Sequence, residues 1–221
     1  MLEPLKEEVC EQNHELPANG LVVGSGGNVS GRDPETGLIV IKPSGVKFSK
    51  LTPDTMVVVD LDGKIVEGAM KPSVDTGIHL YIYKHRPDVF GITHTHSPYA
   101  SSFAARGARI PAVMTPITHM LGRDVPCSRY ATPGEVDTGE AIIEAADGGW
   151  AVLVKAHGVF TMGKSATQAT SFAMYLEEAA MTTHLAMLHG PVDELTQTEI
   201  ERCYNWFNKN YGQSGEKQVK S

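Results

Sequence analysis

The sequence predicts an α/β fold, and three observations carry that expectation. Short apolar, β-rich runs recur along the chain. Two of them, at 56–60 and 64–67, flank Leu61-Asp62-Gly63, whose Asp-Gly pair signals an antiparallel hairpin. Between the runs lie stretches with helical spacing and clear start and stop signals, the longest at 165–188.

Taken in order, the first helix is expected over 2–16, where Leu2, Leu5, Val9 and Leu16 recur among charges. The chain then turns glycine-dense from Gly20 to Gly31. Backbone N–H groups there can converge on an anion as a nest, or the stretch is an ordinary turn between strands. It is no dinucleotide fingerprint, because the last glycine is missing and no helical pattern follows. Residues 38–42 read as a short strand ending in Lys42-Pro43-Ser44-Gly45. That cluster suits a phosphate or polyol and is equally common in turns. Lys71-Pro72-Ser73-Val74-Asp75 precedes a helical pattern through Ile78, Leu80, Tyr81 and Ile82, which stops at Pro87. Asp75 is there an N-cap or a site carboxylate.

The apolar run at 89–93 is the centre of the expected chemistry. As a buried strand it puts His94 and His96 on one face at its C-terminal end, about 6.5–7 Å apart along the chain, close enough to chelate one cation. A lone His-x-His is also what two core or surface histidines look like. Ser97-Pro98 starts a helix over 99–106 that Gly107 closes. Residues 110–114 read as a strand, and 127–149 as irregular chain with a helix across 138–146. The most strand-like run of the second half, 151–155, delivers His157 at its C-terminal end and is followed by a strand at 159–162. A third histidine thus arrives in the context of the first two. The helix at 165–188 opens on a capping box, Ser165-x-x-Gln168, and stops at Gly190-Pro191. Its Phe172, Leu176, Ala179 and Ala180 are a packing stripe, and His184 and His189 are assigned to solvent or packing. Residues 1–212 are expected to form one domain, and 213–221 a flexible C-terminal tail.

Composition bounds the partners. A chain of 221 residues with 41% hydrophobic content builds a substantial core. The formal charge of -7 lacks the footprint of a nucleic-acid binder. No apolar run approaches ~18 residues, so no membrane partner is expected. The scattered Cys10, Cys127 and Cys203 read as reduced thiols of a cytoplasmic protein.

Three histidines with an open fourth position, or with Asp75 nearby, are the ligand set of a catalytic divalent metal, zinc first. Such a site polarises a carbonyl or activates water. The glycine-rich loop with Lys42, Ser44 and Ser73 would serve an anionic substrate. Together they indicate a Lewis-acid enzyme on a phosphorylated carbonyl compound. A metallohydrolase and a non-catalytic, metal-stabilised module share the spacing.

Across nearly the whole chain the ordered motifs resemble the class II aldolase/adducin family, and within it the sugar-phosphate 4-epimerases. They include Gly27-Asn28-Val29-Ser30, Ile41-Lys42-Pro43-Ser44-Gly45-Val46, Lys71-Pro72-Ser73-Val74-Asp75-Thr76, Gly91-Ile92-Thr93-His94-Thr95-His96-Ser97, His157-Gly158, Gly163-Lys164 and Tyr211-Gly212-Gln213. The resemblance implies a three-layer α/β/α arrangement around a central, largely antiparallel sheet, in a homotetramer with active sites between subunits. It implies His94, His96 and His157 as metal ligands, with Asp75 at the position of a further acidic ligand or acid/base. The expected metal is zinc, with manganese or cobalt as alternatives. Gly27, Asn28, Ser44, Gly45 and Ser73 fall at phosphate-binding positions with Lys42 beside them, and Thr115 and Glu135 at neighbouring ones. Tyr211 matches a tyrosine that exchanges a proton from the adjacent subunit. An Asp at 75 favours the epimerases, since the related aldolases resemble them but show Glu.

Two residues depart from the family pattern. Val74 stands where a second serine is usual, removing one hydroxyl from the phosphate site. His119 stands where the epimerases carry an aspartate acid/base, a role imidazole can fill near neutral pH. The implied activity is metal-dependent retro-aldol/aldol epimerisation of L-ribulose 5-phosphate. The alternative is a fuculose-phosphate-aldolase-like enzyme that cleaves a ketose phosphate or related hydroxy acid and releases the aldehyde.

Overall fold

The computed structural model describes residues 2–133 and 136–212. Helix α1 (Glu3–Ala18) runs through Pro17 and leads to the glycine-rich loop, which ends in strand β1 (Asn28–Arg32). Strands β2 (Ile39–Ile41), β3 (Val57–Val59) and β4 (Ile65–Glu67) follow, then α2 (Thr76–His85), β5 (Gly91–Thr95), α3 (Pro98–Arg106), α4 (Thr115–Leu121) and α5 (Val136–Ala146). The chain continues with β6 (Ala151–Val154), β7 (Gly158–Gly163), α6 (Ala166–Met187) and α7 (Gln197–Asn210). Among the described residues the strands form one sheet, ordered β4-β3-β2-β1-β5-β7-β6, with every neighbouring pair antiparallel.

Side-chain alternation divides the sheet into two apolar faces. Ile39, Ile41, Val57 and Val59 pack with Ile78, Ile82 and Tyr83 of α2 and Ile142 of α5. Val40 and Val58, the intervening residues, pack with Val9 and Leu16 of α1 and Ala173 of α6. On that same side, Leu153 and Val159 meet Phe103 of α3, Ile117 of α4 and Leu176 of α6. Each fully buried Val, Ile or Leu contributes about 1.5–3 kcal/mol, so the α/β/α sandwich is secured from both faces. No helix is long and apolar enough to cross a membrane among the described residues.

Several details differ from the sequence expectation. Residues 110–114 are not a strand: only Ile110 bridges, to Val125, and Pro111 offers no N–H to extend the ladder. Helices α4 and α7 were not expected, nor was a strand in the second half of the glycine-rich stretch. Strand β5 begins two residues later than the apolar run and includes His94. At Ser165 only half of the capping box forms. Ser165 accepts from Gln168 N (3.1 Å), but the Gln168 side chain accepts from Lys164 N (2.7 Å). The proposed tail at 213–221 lies outside the described residues.

Candidate active site

The antiparallel pairing of β1, β5 and β7 builds the site. His94 lies on β5 opposite Asn28 of β1 and Phe160 of β7, His96 follows the strand, and His157 immediately precedes β7. The three rings have centroids 4.7, 4.9 and 5.2 Å apart, and one nitrogen of each lies within 4.8 Å of the others. His94 is buried and stacked on Phe160, with centroids 4.2 Å apart and planes 16° apart. Its Nδ1–H donates to the Val159 carbonyl at 2.9 Å, which leaves the Nε2 lone pair toward its neighbours. Burial pushes the His94 pKa down to about 3 and also lowers those of His96 and His157, so the rings present neutral nitrogens. His157 Nδ1 is moreover buried without a partner among the described residues. Three neutral imidazoles are the donor set of a borderline-soft divalent cation, and the residues fit one.

Two glycines make this packing possible. A Cβ on Gly158 would lie 2.4 Å from Thr95 O and 2.7 Å from His96 Cδ2. Gly27 has φ +77, and a Cβ there would lie 2.5 Å from Val22 Cγ1 and 2.8 Å from His94 O. Only glycine lets the loop press against β5 behind the histidines.

A cleft of about 410 Å³ opens over the triad, lined by Gly27, Asn28, Lys42, Ser44, Gly45, Ser73, Asp75 and all three histidines. Val74 and Pro133 also line it, and Val74 is exposed. Its two turns are strapped together, since Pro43 bridges Pro72, Ser44 N donates to Lys71 O and Ser73 N to Lys42 O. Lys42 is only 2% exposed, lies over the Phe48 ring and donates to Ser25 O at 3.1 Å. Burial lowers its pKa, and Asp75 opposes that. A nearly buried ammonium with one carbonyl acceptor can take an anion in the cleft. Asn28 Nδ2 donates to Ser73 Oγ (3.1 Å) and Asp75 Oδ2 (2.7 Å), while its Oδ1 is buried without a partner among the described residues. Burial disfavours the Asp75 charge, but the His94, His79 and His157 rings and the Asn28 amide hold its carboxyl below the usual range.

Other residues singled out from sequence lie elsewhere. Thr115 opens α4 and is exposed, and His119, also on α4, stacks on Phe207 of α7 at 4.9 Å. Tyr211 stacks on the same Phe207 at 4.2 Å and is 64% exposed. None of the three lines the cleft. Glu135 lies outside the described residues. A larger hollow of about 550 Å³, lined by Leu5, Arg32, Phe90 and Lys164, sits at the opposite ends of β1 and β5 and contains no histidine. Sequence reasoning missed His79, a buried neighbour of Asp75; its place four residues on, one helical turn, was the available signal.

The sequence and the fold have known relatives. A family model described as the class II aldolase and adducin N-terminal domain matches residues 7–184. The chain is 38% identical over 230 residues to L-ribulose-5-phosphate 4-epimerase UlaF of Salmonella paratyphi C, covering 96% of this chain and 100% of that one. Its fold is similar to L-fuculose 1-phosphate aldolase, with a TM-score of 0.89 and 31% identity over 93% of this chain and 96% of the other. It is also similar to l-fuculose-1-phosphate aldolase from Thermus thermophilus, with a TM-score of 0.73 and 27% identity over 86% and 98% of the two chains.

Proposed function

The chain belongs to the class II aldolase and adducin family, and on that premise we propose that it is a metal-dependent sugar-phosphate 4-epimerase. Its reaction would interconvert L-ribulose 5-phosphate and D-xylulose 5-phosphate by breaking and remaking the C3–C4 bond. The observation that carries this reading is the triad of neutral histidines in one cleft with the Lys42 ammonium, the Ser44 and Ser73 hydroxyls and the Asp75 carboxylate.

His94, His96 and His157 would hold the cation, with Asp75 facing it. A divalent cation there, zinc first and manganese or cobalt as alternatives, supplies Lewis-acid stabilisation of the negative charge that develops as C3–C4 breaks. Lys42, Ser44, Ser73 and the Gly27-Asn28 and Gly45 backbones would bind the phosphate, keeping the cleaved aldehyde in place. An aldehyde held through its phosphate can turn its carbonyl face and be attacked again, which inverts C4. Asn28 Oδ1, free of other partners among the described residues, would accept a substrate hydroxyl. Tyr211 and His119 would exchange the proton of the C4 oxygen on opposite faces, with Thr115 and Glu135 alongside. Because both rings lie against Phe207 and outside their own cleft, this role requires the α4–α7 edge of another copy. A cytoplasmic homotetramer with shared sites is therefore part of the proposal.

Incubating the cobalt- or zinc-loaded protein with L-ribulose 5-phosphate tests it. D-xylulose 5-phosphate should appear without free glycolaldehyde phosphate. Aldehyde release on the scale of turnover would establish the second reading, an aldolase, which the similarity to L-fuculose 1-phosphate aldolase and the histidine at 119 favour.

A further inference from the structure

Beside the cleft lies a polar chain that the proposed reaction does not use. His79 of α2 is fully buried, one helical turn beyond Asp75, and its backbone N–H donates to Asp75 O at 3.1 Å. Its Nδ1 is 2.7 Å from Ser30 Oγ, which in turn is 2.9 Å from the Tyr83 hydroxyl. The ring meets Phe160 edge-on at 5.7 Å, and Phe160 stacks on His94. Its Nε2 is buried with no partner among the described residues.

Counting protons assigns the tautomer. If Tyr83 donates to Ser30 and Ser30 to Nδ1, both hydroxyl protons are used and the ring proton sits on Nε2. The reverse direction leaves the Tyr83 proton without an acceptor and the Nε2 lone pair without a donor. The better-satisfied chain ends in an Nε2–H that has nothing to donate to, in the turn after a carboxylate. Asp75 meanwhile has Oδ2 engaged by Asn28 and a second oxygen to spare. A buried donor without an acceptor is costly, so the pairing of these two would relieve a real penalty.

We propose that His79 is a positioning residue for Asp75: its Nε2–H, oriented through Ser30 and Tyr83, supplies the second hydrogen bond that fixes the Asp75 carboxylate when a cation is bound. The inference rests on the reading of Asp75 as facing that cation. Outer hydrogen bonds of this kind change metal affinity about 10–100-fold.

The test is Co²⁺ titration of the metal-free protein, followed by visible absorbance, for wild type, His79→Gln, Asp75→Asn and the double variant, with circular dichroism to confirm folding. Each single variant should bind Co²⁺ about tenfold more weakly or worse. The double variant should bind no more weakly than Asp75→Asn alone, because His79 acts through that carboxylate. Unchanged affinity in His79→Gln, or losses that multiply in the double variant, would overturn the inference while leaving Asp75 in place. Unchanged affinity in Asp75→Asn would overturn the reading of Asp75 itself, and the inference with it. If His79→Gln does not fold, Ser30→Ala removes only the hydroxyl that orients the ring. It should weaken Co²⁺ binding several-fold when Asp75 is intact and leave it unchanged in the Asp75→Asn background; equal losses in both backgrounds overturn the inference.

Discussion

Gly158 stands between two histidines with no room for a methyl group, and that makes it the most informative single position to alter. In Gly158→Ala the new Cβ must displace Thr95 or the His96 ring. Overpacking of this kind costs about 1–3 kcal/mol, and here it also moves a ligand. A lower melting temperature together with at least tenfold weaker Co²⁺ binding is expected; normal cation binding would show that the triad tolerates the shift. Buried imidazoles also give the metal-free protein a pH dependence of definite sign. Burial holds the His79 pKa down to about 4, with Asp75 opposing, whereas an unfolded chain protonates the ring below about 6.5. Stability is thus fully present above that value and is lost as pH falls toward 4, with a slope of up to about 1.4 kcal/mol per pH unit for each such ring. Urea unfolding at pH 7.5 and 5 should show the loss, and His79→Gln should flatten it. At this scale the histidines were legible because each ends or follows an apolar run. The Asn28–Asp75 bond was not, because it joins residues 47 apart and no local pattern marks it.

Among the elements, α3 depends on a residue far from it in sequence. Ser97 is a conventional N-cap by composition, yet its side chain makes no capping bond, and its Oγ is buried without a partner among the described residues. Glu177 of α6 replaces it, accepting from Tyr99 N (2.8 Å) and Ala100 N (2.9 Å). This carboxylate fixes the helix start two residues after His96 and meets the positive end of the helix. Glu177→Ala should cost about 0.5–2 kcal/mol in denaturant unfolding, as losing a cap does, and should weaken cation binding through His96. Helix α7 was legible after all. Only Ile200 of it is fully buried, yet Ile200, Cys203, Tyr204 and Phe207 recur at helical spacing as a half-buried stripe. A capping box precedes them, in which Thr196 and Glu199 bond each other's backbone N–H. Helix α4 is two turns long and begins at Thr115-Pro116, too short for a period to emerge.

For the whole molecule, the arrangement separates two sets of groups. The triad and the anion-binding turns share one cleft, while His119 and Tyr211 sit on a three-ring stack with Phe207 at the α4–α7 edge. If copies of the chain complete one another, His94→Ala and Tyr211→Phe should each abolish or strongly reduce turnover alone. Mixed after dissociation and reassembled, they should recover a fraction of it, because some sites then combine an intact cleft with an intact tyrosine. Absence of recovery in properly assembled hybrids would mean that each copy works alone. Most strands and helices were legible because alternation and capping are local, whereas the layering of helices on both faces of the sheet was implied only by the family resemblance. Whether another copy would cover exposed rings such as Trp206 and Tyr211 was not legible, because exposure is a property of the folded surface that no local pattern marks.

The order of the strands also sets when the ligands can meet. Strand β5 is central, but Asn28 pairs with His94 on one side, and on the other the His94 ring bonds a carbonyl 65 residues further along the chain. Closing loops of that length costs entropy before any pairing rewards it, so such contacts form late in folding. A chain emerging from synthesis has no complete cluster to offer until it reaches His157, early in the last third of its 221 residues. A cation held by the triad would consequently act as a latch on the finished sheet and not as a seed for it: it would slow unfolding and leave the search for the fold to the apolar residues.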